Sequence, residues 1–188
     1  MASSESPLSP RRDAASGIAR FGGLLHQAQR IAFLTGAGMS TESGIPDFRS
    51  GSGIYATRAS ESLFDIDAFR RDPAPFFAFA RTFFAEVMAA RPNAGHRAIT
   101  DLQDRLGKEV AVATQNIDLL HQQAGTRQVY PVHGTVEHAT CTDCGDQVSA
   151  AALWPTICAG GVPQHHCGGV YKPDIVFFGE MLPERVLW

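Results

Sequence analysis

Three groups of polar residues in this sequence have the types and spacing of a nucleotide site that does chemistry. Thr114-Gln115-Asn116-Ile117-Asp118 carries two amides and a carboxylate, and Val132-His133-Gly134 carries one histidine. Residues 44–49, Gly-Ile-Pro-Asp-Phe-Arg, add an acid, an aromatic ring and a cation. A histidine is suited to act as a base beside such groups because its pKa is close to neutral. The pattern predicts a site that breaks a bond in its nucleotide.

A glycine-rich turn is the predicted phosphate site. Gly36-Ala37-Gly38-Met39-Ser40 follows an apolar run at 31–34. Glycine lets the backbone approach a pyrophosphate, and a helix that starts after the turn offers free N–H groups. The dinucleotide fingerprint has a third glycine where this sequence has Thr41, so the match is partial. A tight turn between a strand and a helix is the structural alternative.

The loop expected after this turn lies over the nucleotide. Gly44 and Pro46 interrupt any helix that begins near Ser40. In this position Phe48 can shield a reactive ring from water, and Arg49 can contact a phosphate or support the loop.

The polar segment at 114–118 follows a second predicted strand, residues 109–113. Ligands of open α/β sheets bind beyond the carboxyl ends of the strands. Asn116 and Asp118 can satisfy both faces of a carboxamide, such as that of nicotinamide, and Gln115 can contact a ribose hydroxyl. Alternatively, Asn116 or Asp118 caps the next helix.

His133 is the candidate general base, because it ends a short predicted strand and can lie near a ribose. The chain contains 7 histidines, so most of them must have other roles. His26, His96 and His121 lie in helix-like stretches, and we expect them to be structural or exposed.

The elements that must position these residues alternate between helix and strand, as in α/β proteins with a parallel sheet. Polar residues rich in Ser, Pro and Ala precede them, and we expect residues 1–16 to form a disordered tail. The predicted helices cover residues 17–30, 73–90, 93–107 and 116–124, and Asn93 is the expected cap of the third. The predicted strands cover residues 31–34, 109–113, 129–132 and 175–178.

Composition excludes several classes of protein. A chain of 188 residues with 44% hydrophobic residues is long enough for one domain with a small inserted module. The net charge of −3 gives no general attraction to nucleic acid or to an anionic membrane, and no apolar run is long enough to span a bilayer. The N-terminus lacks a signal-peptide pattern, and the 4 cysteines therefore favour a reducing, cytoplasmic location and metal binding over disulfides.

The cysteines have the spacing of a tetrahedral zinc site. Cys141-x-x-Cys144 supplies one half of such a site. Cys167 completes it either with Cys158 or with one histidine of the pair at 165–166. A site closed by four protein ligands is structural, because no position is left for a reacting water. Four free thiols are the alternative.

Taken together, these motifs resemble the sirtuins, a family of NAD-dependent protein deacylases. The stretches GAGMSTESGIPDFRS, TQNIDLLH, HG and CxxC occur in the order of that family, followed by KPDIVFFGE at 172–180. The resemblance runs from about residue 17 to the C-terminus. Several long motifs in order are far more specific than any one of them.

The resemblance implies an α/β fold with two parts. One is a Rossmann-like parallel-sheet domain, residues 17–135 and 171–188, and the other is an inserted zinc-binding module, residues 136–170. It implies that NAD and an acetyl-lysine protein or peptide meet in the cleft between them. The acyl oxygen would attack the nicotinamide ribose, nicotinamide would leave, and the acyl group would depart on ADP-ribose. It also implies one structural Zn²⁺.

The same resemblance implies roles for individual residues. His133 and Asn116 are the expected catalytic residues, with His133 as the base on a ribose hydroxyl. The substrate peptide would add as a strand through backbone bonds, so we expect loose sequence preference. The residues expected to bind NAD are Gly36, Ala37, Gly38, Ser40, Ile45, Asp47, Phe48, Arg49, Gln115, Asn116, Ile117 and Asp118. The residues expected to bind the substrate are Val176, Phe178, Gly179 and Glu180.

Two departures from the sirtuin pattern concern ligands. Histidine replaces a cysteine of the second metal-binding pair, which favours the set Cys141, Cys144, His165 and Cys167, with Cys158 as the rival fourth ligand. Sirtuins that remove acidic acyl groups carry Tyr-x-x-Arg on the helix at 73–90. The matching positions here are Arg81 and Phe84, which favours short neutral acyl groups, above all acetyl.

A third departure is the end of the chain at Trp188. Sirtuins continue with a Gly-Thr-Ser motif, further strands and an adenosine-binding loop. We therefore expect a C-terminally truncated chain with an open sheet edge, without the adenine end of the site and with less than full activity.

Three functions follow from these residues. The leading one is an NAD-dependent protein lysine deacetylase that transfers acetyl to ADP-ribose and releases nicotinamide. The second is protein ADP-ribosyl transfer by the same bond cleavage. The third is a non-catalytic fragment that binds peptide and zinc.

Overall fold

The computed structural model describes residues 10–57 and 60–184. Two three-stranded sheets form its framework. The strands are β1 (Arg30–Thr35), β2 (Glu109–Thr114), β3 (Gln128–Pro131), β4 (Gly134–Cys141), β5 (Gln147–Ser149) and β6 (Tyr171–Ile175). The helices are α1 (Pro10–Gln27), α2 (Ile54–Thr57), α3 (Ile66–Arg71), α4 (Ala74–Ala89), α5 (Ala94–Asp104), α6 (Leu120–Gln123) and α7 (Ala150–Cys158). Short 3-10 helices cover Ala37–Met39, Thr41–Ser43 and Glu61–Phe64.

The first sheet is parallel, in the order β1-β2-β3, and confirms the predicted α/β fold. β2 is central, and Val110 and Val112 in it are buried. Thr35 is paired with Thr114, which in turn is paired with Pro131, so the carboxyl ends of the three strands lie at one level. The segments after these strands, which carry the predicted site residues, therefore meet at one edge of the sheet.

The second sheet is antiparallel, in the order β5-β4-β6. The prediction of a strand at 175–178 is wrong, because β6 ends at Ile175. Residues in β6 alternate between buried and partly exposed, which is the two-residue period of a strand with one covered face. The apolar residues after β6 pair with two other segments instead. Val176 N donates to the carbonyl of His133, and Phe178 forms an isolated bridge with Asp65.

The main core is built on α4. Its buried residues include five phenylalanines, which form one broad face of the helix, whereas Ala78, Arg81 and Ala85 are exposed on the other. Phe76 and Phe83 are almost completely buried, and Phe177 from the segment after β6 packs against Phe76 with ring centroids 5.1 Å apart. This packing anchors the loop after β6 to the body of the domain.

The start of α5 confirms the predicted cap. The Asn93 side chain accepts from the backbone N–H groups of Gly95 and His96, and the His96 ring accepts from the backbone N–H of Asn93. This reciprocal arrangement satisfies donors that a helix N-terminus otherwise leaves free.

Two other expectations need correction. Helix α1 begins at Pro10, so the predicted disordered tail is wrong over residues 10–16, and residues 1–9 lie outside the described part of the chain. The helix predicted at 116–124 is shortened to α6, because polar contacts hold the segment before it in a non-helical conformation. Within the described residues, no helix has both the length and the apolar character needed to cross a bilayer.

Candidate active site

A cleft of about 590 Å³ lies at the carboxyl edge of the parallel sheet, between the loops after β1 and β2 and the segment after β6. Most of the predicted cofactor residues line it. They are Ala37, Gly38, Ser40, Ile45, Asp47, Phe48, Arg49, Gln115, Asn116, Ile117 and Asp118. His133 and all four predicted substrate residues line it too. Gly36 is the exception: it adopts an extended conformation at the end of β1 and is not part of the lining.

The glycine-rich turn differs from the predicted strand–turn–helix. Two 3-10 helices follow β1, and no α-helix begins at Ser40. The second ends at Gly44, whose φ of 89° lies in the left-handed region that favours glycine. The loop therefore offers a series of tight turns toward the cleft, and not the N-terminus of a long helix.

Ser40, Asn116 and Asp118 form a buried hydrogen-bonded chain at the base of the cleft. Asn116 Nδ2 donates to Ser40 Oγ at 2.9 Å, and Ser40 Oγ donates to Asp118 Oδ2 at 2.8 Å. Asp118 Oδ1 accepts from the backbone N–H of Leu120 at 3.0 Å, so Asp118 also stabilises the start of α6. The helix-capping contact that was the structural alternative for Asp118 is therefore present. A carboxylate has about four acceptor sites, so about two remain.

His133 lies where the loops after β2 and β3 meet. Its Nδ1 is 3.1 Å from the carbonyl oxygen of Gln115. A carbonyl only accepts, so Nδ1 carries the proton and the neutral ring keeps a lone pair on Nε2. The backbone carbonyl of His133 accepts from Val176 N at 2.9 Å, which ties the histidine to the segment after β6. This arrangement leaves Nε2 available as a base.

The loop that carries Asp47 and Phe48 is closed on itself. Their backbone carbonyls accept from the N–H groups of Ile54 and Tyr55, respectively. Gly53 is required at the contact point, because a Cβ there would lie 2.9 Å from the Asp47 carbonyl oxygen. Phe48 is held among aromatic rings, with its centroid 5.4 Å from Tyr55 and 5.6 Å from Phe64. The predicted cover for a reactive ring is therefore anchored on one side.

Lys172 fixes the segment that follows β6. Its Nζ lies 2.9 Å from Glu180 Oε2, donates to the Ile175 carbonyl at 2.8 Å and stands 4.5 Å above the Phe177 ring. Glu180 Oε2 also accepts from the Phe177 N–H at 2.7 Å. Both side chains are mostly buried, so this pair is stronger than a surface ion pair.

A second cleft of about 490 Å³ adjoins the first along the same segment. The two clefts share Ile175, Val176, Gly179 and Glu180. The far side of the second cleft is lined by Ile66, Arg70, Gly134, Asp174, Met181 and Pro183.

Two buried histidines lie next to the end of β1, where the glycine-rich turn begins. His96 and His121 are at most 1% exposed, and their ring centroids are 4.7 Å apart. His121 Nε2 lies 3.0 Å from Thr35 Oγ1 at the end of β1. Burial, followed by the neighbouring His96, lowers the pKa of His121 to about 4, although Asp118 acts in the opposite direction. Burial also lowers the pKa of His96, so both rings are neutral at pH 7.

A separate cluster, termed the metal cluster below, consists of Cys141, Cys144, His165 and Cys167. One ligand atom from each residue lies within 4.8 Å of the others. The Cys141 and Cys167 sulfurs are 3.6 Å apart, and Cys144 Sγ is 3.3 Å from His165 Nδ1. These separations fit a tetrahedral zinc, in which two sulfurs lie about 3.8 Å apart.

The metal cluster resolves the choice of fourth ligand. Cys158, the rival, lies at the end of α7 and is not part of it. His166 also lies outside the cluster, so His165 is the histidine that completes the set. Three thiols and one imidazole suit Zn²⁺, and the site leaves no open position for chemistry.

Several residues near the cleft had no role in the sequence argument. Tyr55, Phe64, Phe83 and Val87 supply its apolar wall. Asn93 was predicted only as a cap, yet its Nδ2 also donates to Met39 O and Ser43 Oγ and so fastens the loop after β1 to α5. No local pattern announces such contacts, since they join segments about 50 residues apart.

Comparison with known proteins gives close relatives. The chain is 44% identical over 168 residues to an NAD-dependent protein deacetylase of Cutibacterium acnes, which covers 87% of this chain and 67% of the relative. It is 43% identical over 167 residues to the NAD-dependent protein deacetylase of Bacillus subtilis, with 85% and 67% covered. For NAD-dependent protein deacetylase 1 of Pyrobaculum aerophilum, the identity is 42% over 154 residues and the shares are 82% and 60%. The chain thus spans about two thirds or less of the length of these relatives.

Solved structures give the same picture. A Sir2 structure with a deacetylated p53 peptide and 3′-O-acetyl ADP-ribose matches with a TM-score of 0.83 at 39% identity, over 90% of this chain and 69% of that one. A second structure, from work on the mechanism and regulation of Sir2 enzymes, matches with a TM-score of 0.82 at 37% identity, over 92% and 68%. The family model described as the Sir2 family matches residues 36–187. The chain therefore belongs to the Sir2 family, as its motifs predicted.

Proposed function

We propose that this chain carries the nicotinamide and acyl-lysine part of an NAD-dependent protein lysine deacetylase. One observation carries the proposal: a single cleft gathers Asn116, Asp118 and His133 with the aromatic wall around Phe48. Relatives at 42–44% identity are named NAD-dependent protein deacetylases, which supports the same reading.

The buried polar chain at the base of the cleft suits a carboxamide. Asn116 and Asp118 are fixed by Ser40, so they are preorganised at little entropic cost. Asp118 can accept from the amide N–H₂, and Asn116 can pair with the amide through its remaining donor and acceptor sites. Holding the amide in this way fixes the nicotinamide ring. The ribose carbon bonded to that ring is then oriented toward the acyl-lysine.

His133 is the proposed base. Its Nε2 lone pair can take a proton from a ribose hydroxyl, while Nδ1–H stays on the Gln115 carbonyl and stabilises the ring orientation. NAD supplies the ADP-ribose that accepts the acyl group. Ala37, Asp47, Phe48 and Arg49 line the cleft where the rest of this co-substrate would lie, and Gln115 lies where the ribose would be.

The substrate peptide is proposed to bind along the second cleft, beside Val176, Gly179 and Glu180. The backbone of Phe178 is already paired, since its N–H donates to Phe64 O and its carbonyl accepts from Ile66 N. The Glu180 N–H is also paired, with the Phe177 carbonyl, so an added strand must use other backbone groups of this segment or displace one of these bonds. Recognition through the backbone favours loose sequence preference.

The wall of the cleft favours a short neutral acyl group. Phe83 and Val87 of α4 face it, whereas Phe84 is buried in the core and Arg81 is exposed outside the lining. No cation from α4 therefore enters the described cleft to bind an acidic acyl chain. We expect acetyl-lysine to be used in preference to succinyl-lysine.

Two further proposals concern the setting of the chain. None of the four cysteines forms a disulfide in the described structure, and three of them lie in the metal cluster, which suits a reducing compartment such as the cytoplasm. Because the chain spans about two thirds or less of the matched relatives, the proposal covers the nicotinamide and acyl-lysine end of the site and not the adenosine end.

The test is product analysis by mass spectrometry after incubation with NAD and an acetyl-lysine peptide. Deacetylation yields three products in equal amounts: a peptide whose mass is lower by one acetyl group, nicotinamide and acetyl-ADP-ribose. ADP-ribosyl transfer yields a heavier protein or peptide, and a non-catalytic binding fragment yields neither product. An unacetylated peptide serves as the control, and nicotinamide release that does not need the acetyl group would overturn the proposal.

A further inference from the structure

We propose that Asp146 and Tyr171 hold His165 in the tautomer and orientation that metal binding needs. The metal cluster contains three thiols and one imidazole. A thiolate ligand has no second polar atom, but an imidazole ligand has a second ring nitrogen that requires a partner. Replacing a cysteine by histidine at this position therefore creates a need that the rest of the module must meet.

The inner face of His165 is already set for metal binding. Its Nδ1 lies 3.3 Å from Cys144 Sγ, within the metal cluster. The backbone N–H of Cys167 donates to the same Nδ1 at 3.2 Å. Because Nδ1 accepts a hydrogen bond, the proton of the neutral ring lies on Nε2. The single lone pair of Nδ1 would leave the Cys167 N–H for the metal when the metal binds, and this tautomer is the one that binding through Nδ1 needs.

The outer face of His165 is directed at a carboxylate. Asp146 Oδ2 lies 3.8 Å from His165 Nε2, and Tyr171 O–H donates to this oxygen at 2.7 Å. The separation is about 1 Å longer than a hydrogen bond, so the proposal requires the two atoms to approach by about this distance when the metal binds. A carboxylate behind a metal-bound histidine fixes the ring and makes the ligand more basic.

Tyr171 anchors this support in the sheet. It is 7% exposed, packs with Ala139 and Cys141, and meets the His165 ring edge to face at 5.6 Å. The backbone carbonyl of Asp146 accepts from Cys141 N at 2.8 Å, so the carboxylate is held at both its main chain and its side chain. The alternative is that the Tyr171–Asp146 bond only joins β6 to the loop between β4 and β5.

A double-mutant cycle distinguishes these readings. Zinc affinity of the 188-residue chain is measured by competition with a chromophoric chelator. We expect D146N to weaken zinc binding about 10-fold or more, and Y171F to weaken it in the same direction. D143N is the matched control: it removes the same charge from an exposed aspartate of the same loop, and we expect a change of less than about twofold.

The decisive comparison is the effect of D146N in the H165C variant against its effect in the parent chain. A thiolate there has no ring N–H for Asp146 to accept, so D146N should change zinc affinity less than about twofold. An equal loss in the parent and H165C backgrounds would show a purely structural role and overturn the proposal. So would a parent affinity that D146N leaves unchanged.

A second readout covers the case in which H165C fails to fold. Long-range ¹H–¹⁵N NMR spectra of the zinc-loaded parent chain report which ring nitrogen binds metal. We expect Nδ1 to be bound and Nε2 to be protonated, and the opposite assignment would contradict the proposal. Neither measurement requires turnover, so its failure would leave the proposed deacetylase function untouched.

Discussion

Because His96 and His121 are buried, we expect this domain to lose stability in mild acid. Substitution of His121 should reduce this loss. His121 is 1% exposed, and burial lowers its pKa to about 4 from a normal 6.5. In the unfolded chain the same ring binds a proton near pH 6.5. The contribution of the neutral His121 ring to the free energy of unfolding is therefore fully present above pH 6.5 and is lost as the pH falls toward 4.

The size of the effect follows from the two pKa values. Between pH 7 and pH 5 the unfolded state takes up nearly one proton more than the folded state at this site. The resulting loss in the free energy of unfolding is about 2 kcal/mol. The pKa of His96 is also lowered by burial, so this ring adds to the loss in the same direction.

H121Q tests this reasoning, because a glutamine keeps a polar group for Thr35 and cannot titrate. Urea unfolding at pH 7 and pH 5 gives the difference for the parent, for H121Q and for H26Q, in which an exposed histidine of α1 is replaced. We expect the loss between the two pH values to be about 2 kcal/mol smaller in H121Q than in the parent, and unchanged in H26Q. Zinc loss in acid affects all three chains alike and cancels in the comparison. Equal losses in H121Q and the parent would refute the argument.

Three other substitutions test the supports of the cleft. K172M removes the ammonium that holds Glu180, and we expect a several-fold higher KM for acetyl-peptide with a smaller change in kcat, measured by nicotinamide release. G53A places a Cβ against the adjacent backbone and should lower the free energy of unfolding by about 2 kcal/mol, whereas G51A, with open space around it, should change it little. N93A removes a helix cap and two bonds to the loop after β1, so we expect a loss of about 1–2 kcal/mol in stability together with weaker NAD binding by calorimetry. A G51A loss equal to that of G53A, or K172M and N93A chains that match the parent, would contradict these assignments.

The helices with strong local signals were predictable from sequence. α4 carries a dense apolar pattern, and α5 begins at a residue whose side chain caps its own helix. β1 and β2 are short apolar runs that end at polar motifs, which is typical of strands in a parallel sheet. In these segments local preference and tertiary packing agree.

The errors arose where tertiary contacts override the local pattern. The run at 175–178 is apolar enough for a buried strand, but its backbone bonds go to His133, Phe64 and Ile66. The segment before α6 resembles a helix, but contacts with Ser40 keep it non-helical.

The site was predictable in part for a similar reason. The sequence motifs identified most of the polar residues that line the cleft, because these follow strands whose ends share one edge, but they did not identify its apolar wall. They did not identify the Lys172–Glu180 pair or the His96–His121 contact, since these depend on distances between segments far apart in the chain. The choice of His165 over Cys158 required the geometry of the metal cluster.

The role of His133 is the central claim, and one measurement tests it most directly. Formation of acetyl-ADP-ribose from NAD and acetyl-peptide is compared for the parent, H133A and H138A, whose histidine lies in β4 outside the cleft lining. We expect H133A to lose at least about 100-fold in product formation, as for loss of a general base, and H138A to match the parent. An H133A chain that forms the product at the parent rate would contradict the account.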